Sequence, residues 1–280
     1  MNHITFKRLG RPVMASVAYF GGYCALAGRL GANCSARILS YHSIGDHPAD
    51  PYAVRTEDFA NQMAYLAERF TVLSMDQLAD RLGEEKPLPP RAVAVTLDDG
   101  YRDSYTQAYP ILARLGIPAT IFLPVGLTGS HTSARAVDSM IQAEFLTWDQ
   151  VREMDSGALV AFGSHTMSHV SLTRLPSSEL EYELARSKAE LEAQIGRRVP
   201  GFAYPYGTVR DFNPETARAV AAAGYSWAVT GVSGVNHRRS SLFTLRRTKI
   251  ESDINMSVFV KALEGALDPW VVVDKLGRFL

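Results

Sequence analysis

The sequence predicts an α/β protein whose parallel strands form a barrel, and three observations support that fold class. The stretch Ala92–Leu97 contains small and β-branched residues with too little polarity for a strand that faces water, so both of its faces should be covered. About seven or eight strand patterns alternate with helical patterns, as in parallel α/β proteins. A length of 280 residues suits a single closed barrel, which is the most economical arrangement of these strands.

The composition argues against several classes of protein. Lys and Arg number 29, and Asp and Glu also number 29, so the net charge is zero and no basic face for nucleic acid is predicted. The two cysteines, Cys24 and Cys34, lie near the N-terminus without metal-site spacing, which argues against a disulfide framework and a thiolate zinc site. The hydrophobic content of 46% is sufficient for a full core.

The N-terminal segment 1–36 differs in character from the domain predicted over 37–280. Lys7, Arg8 and Arg11 lie in its first part, and an uncharged run follows them. Basic residues before an apolar run are typical of export signals and of helices at membrane surfaces. We therefore consider this segment separately from the domain.

The uncharged run, residues 12–28, leaves three interpretations open. It suits a peripheral or anchoring helix, a signal cleaved near Ala25-Leu26-Ala27, or a helix packed on the domain. It is short for a transmembrane helix, which needs about 20 apolar residues. We favour contact with a membrane surface and a location in the cytoplasm or on the inner membrane, with export as the alternative.

The first half of the domain alternates between extended and helical patterns. Phe59, Met63 and Leu66 recur at helical spacing, and Thr56 before them is a predicted N-cap. The spacing Ser74–Gln77 predicts a capping box at the start of the next helix. The predicted elements are a strand over 38–41, a helix over 57–69, an extended stretch over 71–73, a helix to 82, a loop over 83–90 and the strand over 92–97.

The second half continues the same alternation. Capping motifs are predicted at Thr147–Gln150, Ser178–Glu181 and Asn213–Pro214. Pro110 should bend or break the helix in which it lies. Residues 125–145 lack periodicity and are predicted to form a long loop, which is often functional in a compact domain. The predicted strands are 118–123, 158–162, 201–204, 225–230 and 243–250, and the predicted helices are 105–116, 147–156, 178–195, 213–224 and 254–267.

Polar residues of a consistent kind follow four of the predicted strands. Asp98 and Asp99 follow the strand over 92–97, and Gly100 permits a turn that brings both carboxylates to the strand's carboxyl end. Parallel strands deliver their carboxyl ends to one face of the fold, so such residues should converge. The residues at the four strand ends are His42, the pair Asp98 and Asp99, the pair His165 and His169, and the turn Pro205-Tyr206-Gly207.

His165 and His169 are four residues apart, which lets both imidazoles reach one ion if the segment makes a helical turn. Imidazole suits a borderline metal such as zinc. One carboxylate from the aspartate pair would complete a set of two histidines and one carboxylate, which leaves positions open for water and substrate. Such an ion acidifies a water ligand and polarises a carbonyl oxygen.

The remaining carboxylate then has a distinct role. An aspartate that binds the metal cannot also accept the water proton freely, so its neighbour should act as the general base. A general acid for the departing amine is also required. His42 is the candidate because it follows a strand that ends on the same face.

Three motifs and their order resemble one family across about residues 38–230. Thr96–Gly100, Ser164–His169 and Phe202–Gly207 resemble the motifs of the polysaccharide deacetylase family, the NodB homology domain of carbohydrate esterase family 4. The stretch Leu39–Ile44 resembles the branch that deacetylates poly-N-acetylglucosamine, in which the motifs are circularly permuted and the acid histidine comes first. The resemblance implies a distorted (β/α) barrel of the glycoside hydrolase and deacetylase type, usually with seven strands.

The resemblance also implies a role for each matching residue. The base and acid are separate from the metal ligands in this family, and a tyrosine backbone N–H helps to stabilise the oxyanion. On the matching positions, the base is Asp98, the metal ligands are Asp99, His165 and His169, the acid is His42, and the oxyanion residue is Tyr206.

Two features of the chain depart from the family's pattern. Many members carry an Arg at the position of Ala203 that holds the catalytic Asp, and the usual Asp-Trp motif is not recognisable, although Trp227 lies in about the right region. Arg247, or its neighbour Arg246, resembles the Arg of the permuted branch. One of them would replace the missing Arg by pairing with Asp98, whereas the alternative is that both are surface charges.

The expected activity is removal of N-acetyl groups from an amino-sugar glycan by a divalent metal, with zinc favoured and cobalt or nickel as alternatives. O-acetyl ester hydrolysis and a non-catalytic carbohydrate-binding barrel are the other functions considered. Several further residues could contact an oligosaccharide, although a solvated loop is the better explanation for those in loops and the aromatic residues could instead fill the core. They are His131, His237, Arg238 and Arg239 in loops, and the aromatic residues Tyr101, Trp148 and Tyr204.

Overall fold

A computed structural model describes residues 3–24, 35–129, 134–135 and 142–276 of the chain. The helices are α1 (His3–Phe20), α2 (Thr56–Arg69), α3 (Met75–Gly83), α4 (Tyr109–Leu115), α5 (Trp148–Ser156), α6 (Ser177–Ile195), α7 (Pro214–Ala222), α8 (Met256–Leu263) and α9 (Val271–Leu276). The strands are β1 (Ser35–Tyr41), β2 (Thr71–Val72), β3 (Ala92–Leu97), β4 (Ala119–Leu123), β5 (Ala134–Arg135), β6 (Gln142–Ala143), β7 (Val160–Ser164), β8 (Gly201–Ala203), β9 (Trp227–Val229), β10 (Asn236–His237) and β11 (Thr248–Lys249).

The main sheet runs in the order β1-β3-β4-β7-β8-β9, with parallel pairing throughout. The short strand β2 also lies parallel to β3, and β10 pairs antiparallel with β1. All residues of β3 are buried, because helices cover the outside of the sheet and side chains fill its inside. The predicted α/β class with a parallel sheet is confirmed.

A short segment, 245–249, joins the two ends of the sheet. Leu245 forms a parallel bridge with Val229 of β9, and β11, a few residues later, pairs with Leu39 and Ser40 of β1. The backbone N–H of Ile250 also donates to the Ser40 carbonyl oxygen at 2.9 Å. The sheet therefore closes into a barrel through short pairings of this segment with β9 and β1. We call residues 245–249 the seam.

Local sequence signals account for most helix boundaries. The capping boxes at Ser74 and Thr147 are confirmed. Each side-chain oxygen accepts the backbone N–H of the Gln three residues later, and the side chain of that Gln accepts the backbone N–H of the capping residue. Asn213 likewise accepts from the N–H groups of Glu215 and Thr216. Gly116 ends α4 in the left-handed region, with φ of 64°. These helices begin and end where short-range chemistry requires.

Two predicted helix caps are wrong, and the predicted bend or break at Pro110 is a π-helical turn just before the helix. Arg55 is the N-cap of α2, and Thr56 is the first helical residue, so its hydroxyl caps nothing. The helix α6 begins at Ser177, so the predicted cap Ser178 lies inside the helix, and the N-cap Pro176 has no side-chain oxygen that could accept a backbone N–H. A π-helical turn over Ser104–Ala108 precedes α4, in whose first turn Pro110 lies.

The loop predicted over 125–145 is described only in part. Its described residues include the antiparallel pair β5 and β6. His131 lies outside the described residues, as does Cys34. The other cysteine, Cys24, is a buried free thiol.

The N-terminal helix α1 packs on the barrel beside α8. Buried Arg11 contacts Asp253 through Nε at 3.0 Å and Glu251 through Nη2 at 2.9 Å. Lys261 of α8 donates to the Ser16 hydroxyl at 3.3 Å. Among the described residues, no helix has the combination of length and apolar character that crossing a bilayer demands.

Gly163, two residues before the predicted ligand His165, lets β7 lie close to its neighbours. A Cβ atom at this position would lie 2.5 Å from the Phe122 ring and 3.1 Å from the Gly201 carbonyl oxygen. Both neighbours belong to the barrel wall, so neither can move without disturbing a strand. The small residue is thus required for the spacing of β4, β7 and β8.

We expect Gly163→Ala to lower the free energy of unfolding by about 1–3 kcal/mol through overpacking. The matched control is Gly83→Ala, where the added Cβ meets only the end of the Leu242 side chain at 3.2 Å. Urea denaturation measures both variants. Equal stability of the two variants would show that the wall accommodates an extra methyl group at Gly163.

Candidate metal and catalytic site

The candidate residues meet where neighbouring parallel strands end. The backbone N–H of Asp98 donates to the Tyr41 carbonyl oxygen at 2.9 Å, which extends the pairing of β1 and β3 by one residue. That bond fixes the start of the aspartate turn next to the residue that follows β1. The side chains at this edge are His42 after β1, Asp98 and Asp99 after β3, His165 and His169 after β7, and Tyr206 after β8.

Asp99, His165 and His169 form one cluster of possible metal ligands. Asp99 Oδ1 lies 3.5 Å from His165 Nε2 and 3.2 Å from His169 Nε2. One ligand atom of each residue lies within 4.8 Å of the others. The Nδ1–H of His165 donates to the Ala203 carbonyl oxygen at 2.7 Å, so its Nε2 is the nitrogen that can bind an ion. This donor set fits a divalent, borderline metal ion.

Four residues at the cluster have positive φ values, which residues other than glycine rarely adopt. Asp99, Thr166, His169 and Tyr206 have φ values of 71°, 68°, 56° and 61°. Left-handed residues of this kind cost of order 1–3 kcal/mol each and persist where surrounding contacts hold them. Their concentration at the edge where the predicted functional residues meet is an independent indication of a site.

The histidine loop is held by a buried carboxylate on α6. Glu183 Oε2 accepts the backbone N–H groups of Met167 and Ser168 at 2.8 and 3.1 Å, and its Oε1 accepts the Ser168 hydroxyl at 2.5 Å. The Thr166 hydroxyl accepts the backbone N–H of His169 at 2.9 Å. These contacts fix the loop between the two histidines, which is how ligands are held ready for an ion.

Asp98 is bound by both terminal nitrogens of Arg247. The two bonds, from Nη1 to Oδ1 and from Nη2 to Oδ2, are each 2.7 Å long. Arg247 Nε donates to the Thr230 carbonyl oxygen at 2.7 Å, and Nη1 also approaches the Thr96 hydroxyl at 3.2 Å. Arg247 is 2% exposed and Asp98 is 3% exposed. The pair is therefore a buried, bidentate ion pair with its remaining donors satisfied.

The same contacts set the charge of both aspartates. Burial opposes ionisation of Asp98, but the Arg247 guanidinium outweighs it and lowers the pKa of Asp98. Burial also opposes ionisation of Asp99, whereas hydrogen bonds from His165 and His169 hold the pKa of Asp99 well below its usual value. Both carboxylates are therefore charged at neutral pH, one beside a guanidinium and one between two imidazoles.

His42, which follows β1, lies next to Asp98. Its Nε2 is 3.9 Å from Asp98 Oδ2, and its ring lies 5.5 Å from the Tyr52 ring. His42 Nδ1 is one of the few buried side-chain polar atoms without a hydrogen-bond partner in the described part of the chain. His42 is thus close enough to the spare carboxylate to act on the same substrate.

Two tyrosines line the cluster. The ring of Tyr206 lies 5.0 Å from the ring of His169, and the residue is 38% exposed. Tyr101 stacks on Phe145 with 5.7 Å between ring centres. Burial and a hydrogen bond to Asp99 raise the pKa of Tyr101, so it stays a neutral donor beside that carboxylate. Tyr206 is the one placed to meet a ligand from solvent.

The other sequence candidates lie away from this cluster or in the core. Tyr204 is fully buried and donates to the Phe243 carbonyl oxygen, and buried Trp227 donates to Asp76. His237 is exposed on β10. The remaining candidates outside the cluster are Arg238, Arg239 and Arg246, which are exposed, and Trp148, which packs against Gly129.

Two supporting residues were not predicted from the sequence. Glu183 interrupts the buried stripe of α6 between Leu180 and Leu184, and a carboxylate in an apolar stripe was the available signal. Asp103 accepts the Ser43 hydroxyl at 2.6 Å and the Ile44 backbone N–H at 3.0 Å, which ties the loop after His42 to the loop after β3. Nothing in the local pattern around Asp103 indicates that contact.

The sequence model of the Polysaccharide deacetylase family matches residues 85–228, just over half of the chain. The chain belongs to the polysaccharide deacetylase family. The matched range contains the aspartate pair and both metal-cluster histidines, whereas His42 and Arg247 lie outside it. Deacetylases of carbohydrate esterase family 4 are generally metal-dependent, in agreement with the cluster of Asp99, His165 and His169.

Several relatives share this membership. The protein YxkH of Bacillus subtilis, which is named as a polysaccharide deacetylase, is 28% identical over 228 residues. The match covers 81% of this chain and 75% of that protein. The poly-beta-1,6-N-acetyl-D-glucosamine N-deacetylase of Escherichia coli is 37% identical over 135 residues. That match covers 46% of this chain but only 20% of the Escherichia coli protein. The chain therefore spans about a fifth of that enzyme.

Solved structures support the fold. The Streptococcus pyogenes deacetylase PplD in complex with acetate has a TM-score of 0.70 and 25% identity, covering 82% of this chain and 99% of that one. IcaB from Ammonifex degensii has a TM-score of 0.69 and 24% identity, covering 83% and 97%. The predicted barrel of the deacetylase type is confirmed.

We expect Glu183→Gln to weaken zinc binding about tenfold or more, because the loop that carries His169 loses its charged acceptor. The matched control is Glu190→Gln on the same helix, whose carboxylate pairs with Arg186 at the surface. Competition with a chromogenic chelator measures the affinity, and thermal melting monitors the fold. A folded Glu183→Gln protein with wild-type zinc affinity would contradict this role.

Asp103 should make stability depend on pH in an unusual direction. Burial raises the pKa of Asp103 to about 6, despite the bonds from Ser43 and Ile44. Below about pH 4 the carboxyl is neutral in both the folded and the unfolded protein, and as pH rises towards 6 the unfolded chain ionises first, so the folded protein loses stability relative to a variant with a non-titrating group at this position. Asp103→Asn should therefore become more stable relative to wild type between pH 4 and 7, by on the order of 2 kcal/mol.

Urea denaturation of both proteins across this pH range measures the difference. Asp46→Asn, on the exposed part of the loop that follows His42, is the control and should show no such trend. A difference that stays constant with pH would mean that Asp103 is charged throughout the range.

Proposed function

We propose that this protein is a metal-dependent N-deacetylase that acts on an N-acetylated amino-sugar polymer. The observation that supports it best is the arrangement of Asp98. This carboxylate lies directly beside a three-ligand cluster but is not needed as a ligand, and Arg247 holds it in the charged form. A charged base next to a metal site is what hydrolysis of an amide requires.

Asp99, His165 and His169 would hold the ion, with zinc favoured and cobalt or nickel as alternatives. A bound ion of this kind would polarise the acetyl carbonyl group and make a water molecule more acidic. The donation from His165 to Ala203 and the anchoring of the loop by Glu183 orient the imidazoles for that purpose.

Asp98 would accept the proton of the attacking water as general base. Its bond to Arg247 fixes the orientation of the carboxylate and keeps it ionised. His42, with Nε2 at 3.9 Å from Asp98, would donate a proton to the nitrogen of the departing amino sugar. The products are then acetate and a glucosamine unit.

Tyr206 would act on the acetyl oxygen and on the sugar. The motif that contains it resembles the family's oxyanion motif, so its backbone N–H would donate to the developing oxyanion. The exposed ring, held against His169, gives a flat surface on which a pyranose ring can pack.

The proposed substrate is a β-1,6-linked N-acetylglucosamine polymer. It rests on relatives, since the Escherichia coli and Staphylococcus epidermidis proteins named as deacetylases of this polymer are 37% and 26% identical over the matched regions. The chemistry of the site alone permits amide and ester substrates, because both present the same acetyl carbonyl.

Asp98→Asn should lower kcat for acetate release by about 10²–10⁴-fold while zinc remains bound, because the base is lost whereas Asp99, His165 and His169 are kept. Asp99→Asn should instead lose the ion, and Asp46→Asn, an exposed aspartate, should keep both properties. Acetate release and metal content are measured on the same preparations. Full activity of Asp98→Asn would remove the base assignment.

The substrate panel separates the remaining possibilities. The zinc-loaded protein is assayed with β-1,6- and β-1,4-linked N-acetylglucosamine oligomers and with O-acetylated xylan. The highest kcat/KM is expected for the β-1,6 oligomers. Preference for xylan would indicate an esterase, and no acetate from any of the three, with zinc bound, would indicate a carbohydrate-binding barrel.

A further inference from the structure

Exposed large apolar side chains are concentrated on two neighbouring helices of the described chain. A Cβ added at Gly10 of α1 would lie 3.2 Å from the Trp270 ring, immediately before α9. Arg11 and Asp274 line the same small cavity between these helices. On or next to α1 and α9 the exposed residues are Val13, Val17, Tyr19, Phe20, Tyr23, Val272 and Leu276, and elsewhere in the described part they are Tyr182 and Tyr206.

The helix α1 has two faces of opposite exposure. Ala15 and Ala18 point to the barrel and are buried, as is Arg11. Val13, Val17 and Phe20 recur at helical spacing on the opposite face and are 63%, 68% and 78% exposed. The outward face of α1 is thus an apolar stripe, which a helix in contact only with water would not carry.

The stripe is held outward by charged contacts on the inner face. Arg11 binds Asp253 and Glu251, which directly follow the seam at the catalytic edge of the barrel. Further along, Lys261 donates to Ser16. The helix therefore runs along the side of the barrel, away from the catalytic edge, and cannot turn its stripe inward without breaking a buried ion pair.

The charges around the stripe suit an anionic surface. The sequence of α1 contains no acidic residue, and Lys7 and Arg8 precede the described part of the stripe. Lys261 Nζ lies 5.2 Å from the centre of the exposed Phe20 ring, and Lys275 is exposed on α9. Tyr19 and Tyr23 at its end belong to the residue type that lies at the boundary between lipid headgroups and hydrocarbon.

The dimensions of the stripe favour a lipid surface over a second copy of the chain. An 18-residue helix is about 27 Å long, and one face of it is about 10 Å wide. That area, about 270 Å², is well below the roughly 800 Å² per partner of a standard protein interface. A bilayer accepts a narrow apolar stripe without requiring a complementary shape.

We propose that α1 attaches the protein to the surface of a bilayer that contains anionic lipid, with Val13, Val17 and Phe20 inserted below the headgroups. The side of the barrel then rests on the membrane. Because α1 runs away from the catalytic edge, the opening at Asp99 and Tyr206 faces along the membrane plane rather than away from it. A polymer chain lying on the bilayer surface would reach the site directly.

The test is flotation of the full chain with vesicles of phosphatidylcholine, with and without phosphatidylglycerol. Wild type should float with both, more strongly with phosphatidylglycerol, and high salt should reduce the difference. The double substitution Val17→Ser with Phe20→Ser should lower the partition coefficient about tenfold or more. Tyr182→Ser, which removes an exposed aromatic from α6, is the matched control and should float as wild type.

Acetate release from a short soluble oligomer and the melting temperature should be the same in all three proteins, which keeps this test independent of the catalytic assignment. Equal flotation of wild type and the double variant would overturn the proposal, as would failure of the wild type to float. Loss of a concentration-dependent dimer in the double variant, without vesicle binding by wild type, would identify the stripe as a contact between copies.

Discussion

The buried pair of Asp98 and Arg247 is the contact on which the rest of the arrangement depends. Each charge would be costly to bury alone, and removing one partner of such a pair generally costs about 3–5 kcal/mol. The pair also joins distant parts of the chain, since Asp98 follows β3 and Arg247 lies in the seam. Closure of the barrel and ionisation of the proposed base are therefore one structural event.

This pairing takes the place of the arginine that the resemblance led us to expect at the position of Ala203. The guanidinium of Arg247 is supplied by the seam. The backbone carbonyl of Ala203 instead accepts the Nδ1–H of His165. The main chain of Ala203 therefore supports the site although its side chain carries no charge.

Much of the site could be predicted because its residues occur at the ends of strands with strong local signals. The strand before Asp98 is uniformly apolar, and capping chemistry marks the helices between strands. The choice between Arg246 and Arg247 could not be made in this way. Neighbouring residues on an extended segment point to opposite sides, and only the register of the seam shows that Arg247 faces inward.

Other features were beyond sequence reasoning for physical reasons. The bonds from Glu183 to the histidine loop and from Asp103 to Ser43 join segments that are distant in the chain. The apolar stripe of α6 marks Glu183 as unusual, but no short-range pattern identifies the residue that either carboxylate contacts. The seam was predicted as one strand over 243–250, whereas the structure has a two-residue strand and a single bridge, too short to be distinguished from a loop by alternation.

The small number of backbone bonds in the seam has a consequence for fluctuations of the folded state. Segments with few such bonds open at lower cost than the body of a domain. Opening of residues 245–249 would carry Arg247 away from Asp98 while the ladders before Asp99 and His165 stay intact. On heating, the orientation of the proposed base would then be lost at a lower temperature than the arrangement of the three residues that would hold an ion.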